Sequence, residues 1–191
     1  MSVLVLVAPG SEEIETVAIV DTLVRGGIDV VLASCCPTGA RQIRASRGVQ
    51  LVADCHLDEL TTRDFDAMVV PGGLPGSEVI RDTPLAIDLL REQAGLGRWR
   101  AAICAAPAVV LHHHGLLGNA STTCHPGFQA RLPATQLSTA RVVTDEAHRL
   151  ITSLGPGTAI EFALEIVRVL RGDEAARTVA GPMVLPPSVL P

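Results

Sequence analysis

The sequence predicts a doubly wound α/β sandwich. Short, nearly unbroken apolar runs rich in β-branched residues alternate with longer segments of helical apolar spacing, and Gly- and Pro-containing turns follow the runs. Apolar runs without polar alternation mark strands covered by helices on both faces, and strand–helix alternation implies a mostly parallel central sheet. The 191 residues fit a single domain spanning 1–191, with a less regular Pro-rich tail over 182–191.

Residues 3–8 open the chain as a buried strand, ended by Pro9-Gly10. Ser11 then starts a helix with Glu12 and Glu13 in its first turn, where acids complement the helix dipole. Gly26-Gly27 stops it, and Ile14, Val17, Ala18 and Val24 form its apolar face. Residues 30–33, 67–70 and 100–104 read as three further buried strands. Pro107 suits the first turn of a helix running to His112-His113-His114. The last clear helix follows Gly155-Pro156-Gly157 and spaces Ile160, Ala163, Leu164 and Val167 along one face.

Composition excludes several functions. With 48% hydrophobic and 18% charged residues, the chain can bury a sizeable core. Fifteen basic against twenty acidic residues give a net charge of −5, with no like-charge run longer than two. No basic arm is available for nucleic acid or a membrane surface, and four aromatic residues are too few for a base-stacking platform. All the basic residues are Arg, so a Schiff-base lysine, a P-loop and a Ser–Lys dyad are excluded. The opening apolar run is too short for a signal core, and no stretch reaches roughly 18 apolar residues, so a cytoplasmic protein is expected. Cys35, Cys36, Cys55, Cys104 and Cys124 are odd in number and contain no C-x-x-C, which argues against a disulfide framework or a zinc finger.

Ligands on such sheets bind beyond the carboxyl ends of the strands. Cys104 falls there, between the strand ending Ala101-Ala102-Ile103 and the helix opening at Pro107. Small neighbours permit a nucleophile elbow, in which following N–H groups and the helix end would hold a thiolate and lower the thiol pKa. The alternative is a buried cysteine acting as a small hydrophobe. Glu15, early in the first helix, either faces that cysteine as a buried carboxyl of raised pKa or is a solvated helix starter. His125 is a candidate base or hydrogen-bond donor. Backbone N–H groups of Gly72, Gly73 and Ala105 are candidates for an oxyanion site. No dinucleotide fingerprint is present, so no nucleotide cofactor is called for. Three adjacent histidines on a helix diverge, so His112-His113-His114 suit a helix C-terminus and no metal is expected. Cys35, Cys36 and Cys55 read as packing thiols.

Pro9-Gly10-Ser11-Glu12-Glu13-Ile14-Glu15, Ser46-Arg47-Gly48-Val49, Val70-Pro71-Gly72-Gly73, Ala101-Ala102-Ile103-Cys104-Ala105-Ala106-Pro107 and Gly155-Pro156-Gly157-Thr158, in this order and spacing, resemble the DJ-1-like branch of the DJ-1/PfpI superfamily. The resemblance covers most of the chain. It implies a flavodoxin-like sandwich, a homodimer, Cys104 as an easily oxidised reactive cysteine and Glu15 as a protonated carboxyl beside it. It also implies a cofactor-independent glyoxalase or deglycase acting on methylglyoxal, glyoxal or their early adducts on proteins and nucleotides, with a role in oxidative-stress protection. In such an enzyme the Cys104 thiolate attacks the aldehyde, Gly73 and Ala105 hold the oxygen, and Glu15 or His125 moves the proton between the two carbons. The other function the family suggests is a redox sensor or chaperone signalled by Cys104 oxidation. Peptidase-type relatives place a histidine directly after the nucleophile. Ala105 stands there in this chain, so that Cys–His centre is not encoded. A glutaminase-like amidotransferase is disfavoured too, because no histidine follows His148.

Overall fold

The computed structural model describes residues 1–61 and 64–189. Leu190 and Pro191, the end of the Pro-rich tail, lie outside the described residues.

In chain order the elements are β1 (Ser2–Val7), α1 (Glu13–Arg25), β2 (Asp29–Ser34), β3 (Gln42–Arg44), β4 (Gln50–Val52), β5 (Cys55–His56), β6 (Ala67–Val70), α2 (Gly76–Arg81) and α3 (Pro84–Gly95). They continue with β7 (Trp99–Ile103), β8 (Val142–Asp145), β9 (Leu150–Ser153), α4 (Ala159–Arg171) and α5 (Asp173–Ala180). Seven strands form one sheet in the order β5-β2-β1-β6-β7-β9-β8. Every pairing is parallel except β8 with β9. β3 and β4 pair separately as an antiparallel hairpin. The four strands read from sequence are β1, β2, β6 and β7, each within one residue at either end.

Successive side chains on a strand point to opposite faces, so each central strand feeds two cores. Leu4 and Leu6 of β1, Met68 and Val70 of β6 and Ala102 of β7 join one layer with Ile80, Leu89 and Leu90 of α2 and α3. Val3, Val5, Val69, Ala101 and Ile103 join the other with Ile19 and Leu23 of α1 and Phe162, Ile166 and Val167 of α4. Each Val, Leu, Ile, Met or Phe side chain among these contributes roughly 1.5–3 kcal/mol on full burial. The face of α4 read from sequence is inward at Ala163, Leu164 and Val167, with Ile160 half-buried.

α1 differs from its sequence reading. Glu12 is its N-cap, accepting from the Glu15 N–H, so the helix begins two residues later than Ser11. Ile14, Val17 and Val24 are more than half exposed, and the buried side carries Glu15, Thr16, Ile19, Thr22 and Leu23. Two apolar stripes compete in this helix. The one that turns inward also brings Glu15 over the carboxyl end of the sheet and lets the Thr16 hydroxyl bond back to the Glu12 carbonyl.

Candidate active site

β1, β6 and β7 are neighbours, so the loops that follow them meet at one point on the carboxyl edge. Gly10 and Gly73, both at positive φ, allow the first two loops to touch. The Glu12 N–H donates to the Gly72 carbonyl at 2.9 Å. The β3–β4 turn is drawn into the same place by Glu13, whose carboxylate accepts from the Ser46 hydroxyl at 2.7 Å and the Arg47 N–H at 2.8 Å.

Cys104 follows β7 with φ +63, a left-handed conformation rarely adopted by non-glycine residues and costing roughly 1–3 kcal/mol. Its N–H donates to the Ser153 carbonyl at the end of β9, and its carbonyl accepts from the His125 N–H, so both sides of the strained residue are tied down. The segment after the turn, Pro107–His112, is π-helical.

Glu15 is fully buried against this turn. Its Oε2 accepts the Gly72 N–H at 2.7 Å, and its carboxyl also faces the Cys104 thiol. Gly72 must be glycine: a Cβ there would lie 2.5 Å from the Cys104 Cβ, 2.9 Å from Glu15 Oε2 and 3.0 Å from the Ile103 carbonyl. Gly72→Ala should therefore destabilise the fold by about 2–3 kcal/mol, since backbone on one side and a buried carboxyl on the other leave nothing cheap to move. Urea unfolding of the two proteins measures the difference. Gly72 also corrects its sequence reading: its N–H is committed to Glu15, which leaves Gly73 and Ala105 as the donors facing the sulfur.

Burial, reinforced by the charge of Glu12, pushes Glu15 up to about 7, with the hydrogen bonds from Gly72 and Cys104 opposing. Burial pushes the Cys104 thiol up to about 12; Glu15 adds to this, and the Gly73 and Ala105 N–H groups act against it. The sequence had suggested a lowered thiol pKa. Desolvation of a sulfur packed beside a carboxylate outweighs the donors that would have lowered it. Between these two values the pair holds one proton, and the thiolate exists when that proton sits on Glu15.

A pocket of about 270 Å³ opens at Cys104, lined by Gly73, Leu74, Ala105, His125, Phe128 and Pro156. Glu12, Ser46 and Arg47 also line it, three residues that sequence reasoning did not assign to the site. The Glu-Glu-x-Glu run and the Ser-Arg-Gly-Val turn were visible signals, but only the packing of hairpin on helix places them on this wall. His125 Nδ1 accepts the Gly127 N–H at 3.1 Å, which leaves the ring proton of the neutral imidazole on Nε2. A Cβ at Gly155 would lie 3.5 Å from His125 Cδ2 and 3.9 Å from Cys104 Sγ, so Gly155 leaves open the space between ring and sulfur.

The three consecutive histidines stand apart from this pocket. The His114 ring bonds to the Arg81 carbonyl at 2.9 Å, and His113 meets it edge-on. Among the described residues no three His, Cys, Asp or Glu side chains are arranged to hold a metal ion, and no helix is long and apolar enough to cross a membrane.

The DJ-1/PfpI family model matches residues 1–169, across every element that builds this pocket. The chain belongs to the DJ-1/PfpI family. Protein dj-1beta of Drosophila melanogaster is 42% identical over 181 residues, covering 94% of each chain. The glutathione-independent glyoxalase DJR-1.2 of Caenorhabditis elegans is 36% identical over 188 residues, covering 96% of each. The chain spans 42% and 47% of the length of the Arabidopsis thaliana DJ-1 homologs B and A. Among solved structures, the VC2308 protein superposes with a TM-score of 0.94 at 44% identity, covering 99% of this chain and 95% of that one. The Drosophila melanogaster DJ-1beta crystal structure gives 0.90 at 41%, covering 97% and 98%. The mostly parallel sheet with helices on both faces is the flavodoxin-like architecture of these DJ-1 structures.

Proposed function

We propose that this protein is a cofactor-independent glyoxalase of the DJ-1 family that converts small 2-oxoaldehydes such as methylglyoxal to hydroxy acids, and that reverses their early adducts on proteins or nucleotides. The observation that carries this reading is Cys104 on the wall of a small pocket, sharing one proton with the buried Glu15 beneath it and facing the donors Gly73 and Ala105. With the thiol raised to about 12, proton removal must be coupled to attack, and the Glu15 carboxylate, itself raised to about 7, is the base that faces the sulfur. As Cys104 attacks the aldehyde carbon, its proton passes to Glu15 and the new oxyanion meets the Gly73 and Ala105 N–H groups. The Nε2–H of His125 donates to the second carbonyl oxygen. The name of the nematode relative, a glutathione-independent glyoxalase, supports the choice of reaction. Lactate formation from methylglyoxal by purified protein, without added metal or glutathione, tests it; no cysteine-dependent lactate from folded, reduced protein sinks it.

We also propose a homodimer formed through α1. Ile14, Val17 and Val24 are exposed along the side of the helix turned away from the core, and an apolar stripe left in water favours association. The wild-type protein is expected to scatter light as twice its 20.0 kDa chain, and the double variant Ile14→Asp, Val17→Asp as a monomer. A monomeric wild type removes this part of the reading.

A further inference from the structure

The glyoxalase reaction needs a second proton carrier. After thiolate addition, the hydrogen on the aldehyde carbon C1 must leave as a proton and C2 must gain one. That carrier must present a free basic atom to the pocket.

Glu15 does not meet this requirement. It is fully buried beneath the Gly72–Cys104 contact, is absent from the pocket wall and spends Oε2 on the Gly72 N–H. His125 does not meet it either, because its Nδ1 is occupied by the Gly127 N–H and its Nε2 carries the proton. Glu12 does. It is the one acidic residue on the pocket wall among the described residues. It is 92% buried, and its backbone is clamped by the N–H bond to Gly72 and the Thr16 hydroxyl on its carbonyl. Oε2 caps the helix at the Glu15 N–H, at 2.7 Å, while Oε1 accepts no hydrogen bond from the described residues and is not among the sealed polar atoms. A rigidly held carboxylate with one oxygen committed and the other unpartnered has the form of a general base.

We infer that Glu12 is the catalytic base that carries the proton from C1 to C2, a role resting on the glyoxalase reading above. Glu12 takes the C1 proton from the hemithioacetal, the C1–H electron pair becomes the C1=C2 bond, and the C2 carbonyl pair moves onto its oxygen to give an enediolate. Returning the proton to C2 re-forms the C1 carbonyl and gives the hydroxyacyl thioester of Cys104, whose C2 oxygen takes a proton from the incoming water. Water adds to that acyl carbon and releases the hydroxy acid, with the sulfur regaining the shared proton. C1 is oxidised and C2 reduced by the same two electrons, so no external oxidant enters.

Glu12→Gln keeps an oxygen able to cap the Glu15 N–H and removes the base. Its lactate production from methylglyoxal is expected to fall about a hundredfold or more, the scale of a lost general base. Iodoacetamide labelling of Cys104, read on its own peptide by mass spectrometry, should stay at the wild-type rate, which a misfolded or mispositioned site would not allow. Wild-type turnover in Glu12→Gln overturns the assignment while leaving the glyoxalase reading intact. A parallel fall in labelling and turnover also overturns it, reducing Glu12 to a helix cap. Absence of lactate from the wild type overturns both.

Discussion

Cys104→Ser is expected to abolish lactate formation, with a fall of about ten-thousandfold or more, the scale seen when an activated nucleophile is removed. Serine keeps the size and the elbow but presents a hydroxyl far less acidic and less nucleophilic than a thiol. Glu15, poised at about 7, cannot ionise it appreciably. Fold and substrate pocket should be preserved, so circular dichroism and unfolding of the variant should match the wild type while product formation disappears. A discontinuous lactate assay on both proteins, without metal or thiol additives, decides the matter. Full activity in the serine variant removes Cys104 from the mechanism.

The second large effect is on stability, and its sign follows from Glu15. An ordinary carboxyl value of 4.5 is raised to about 7 in the fold, chiefly by burial. Below 4.5 the group is protonated in both folded and unfolded chains. Above it the unfolded chain releases the proton while the folded chain holds it, so stability is lost as pH rises until the folded group has titrated near 7. The difference between these values corresponds to about 3 kcal/mol. Glu15→Gln cannot titrate, so measured against it the wild type should lose about 3 kcal/mol between pH 4 and pH 8. Urea unfolding of both proteins at the two pH values checks this. Staying at or below pH 8 keeps the separate rise of the Cys104 thiol out of the comparison. Parallel pH dependence in the two proteins means that Glu15 does not hold a raised pKa.

Both expectations concern residues that were legible in the sequence. Cys104 stood out because a strand-like run, a thiol between small residues and a proline follow one another, and Glu15 because it lies early in a helix leaving the same sheet edge. The central strands were legible for a related reason. Residues 67–70 are apolar at every position because both faces of β6 are covered, and that pattern is local. β3, β4 and β5, with three, three and two residues, are too short to show a period, and β8 and β9 lie in a stretch that alternates too weakly to separate from loop.

The sequence by itself determined the doubly wound class and the position of the elbow, because these depend on local pattern and residue type. Tertiary structure alone decided which stripe of α1 faces the core, since Ile14, Val17 and Val24 satisfy helical spacing as well as the buried set does. It decided that Gly72 serves Glu15 rather than an oxyanion, and that Glu12 reaches the pocket, because both follow from contacts between loops more than 50 residues apart. It reversed the expected shift of the Cys104 thiol as well. A pKa reports the sum of burial and neighbouring charge, and neither exists until β1, β6 and β7 bring their loops together.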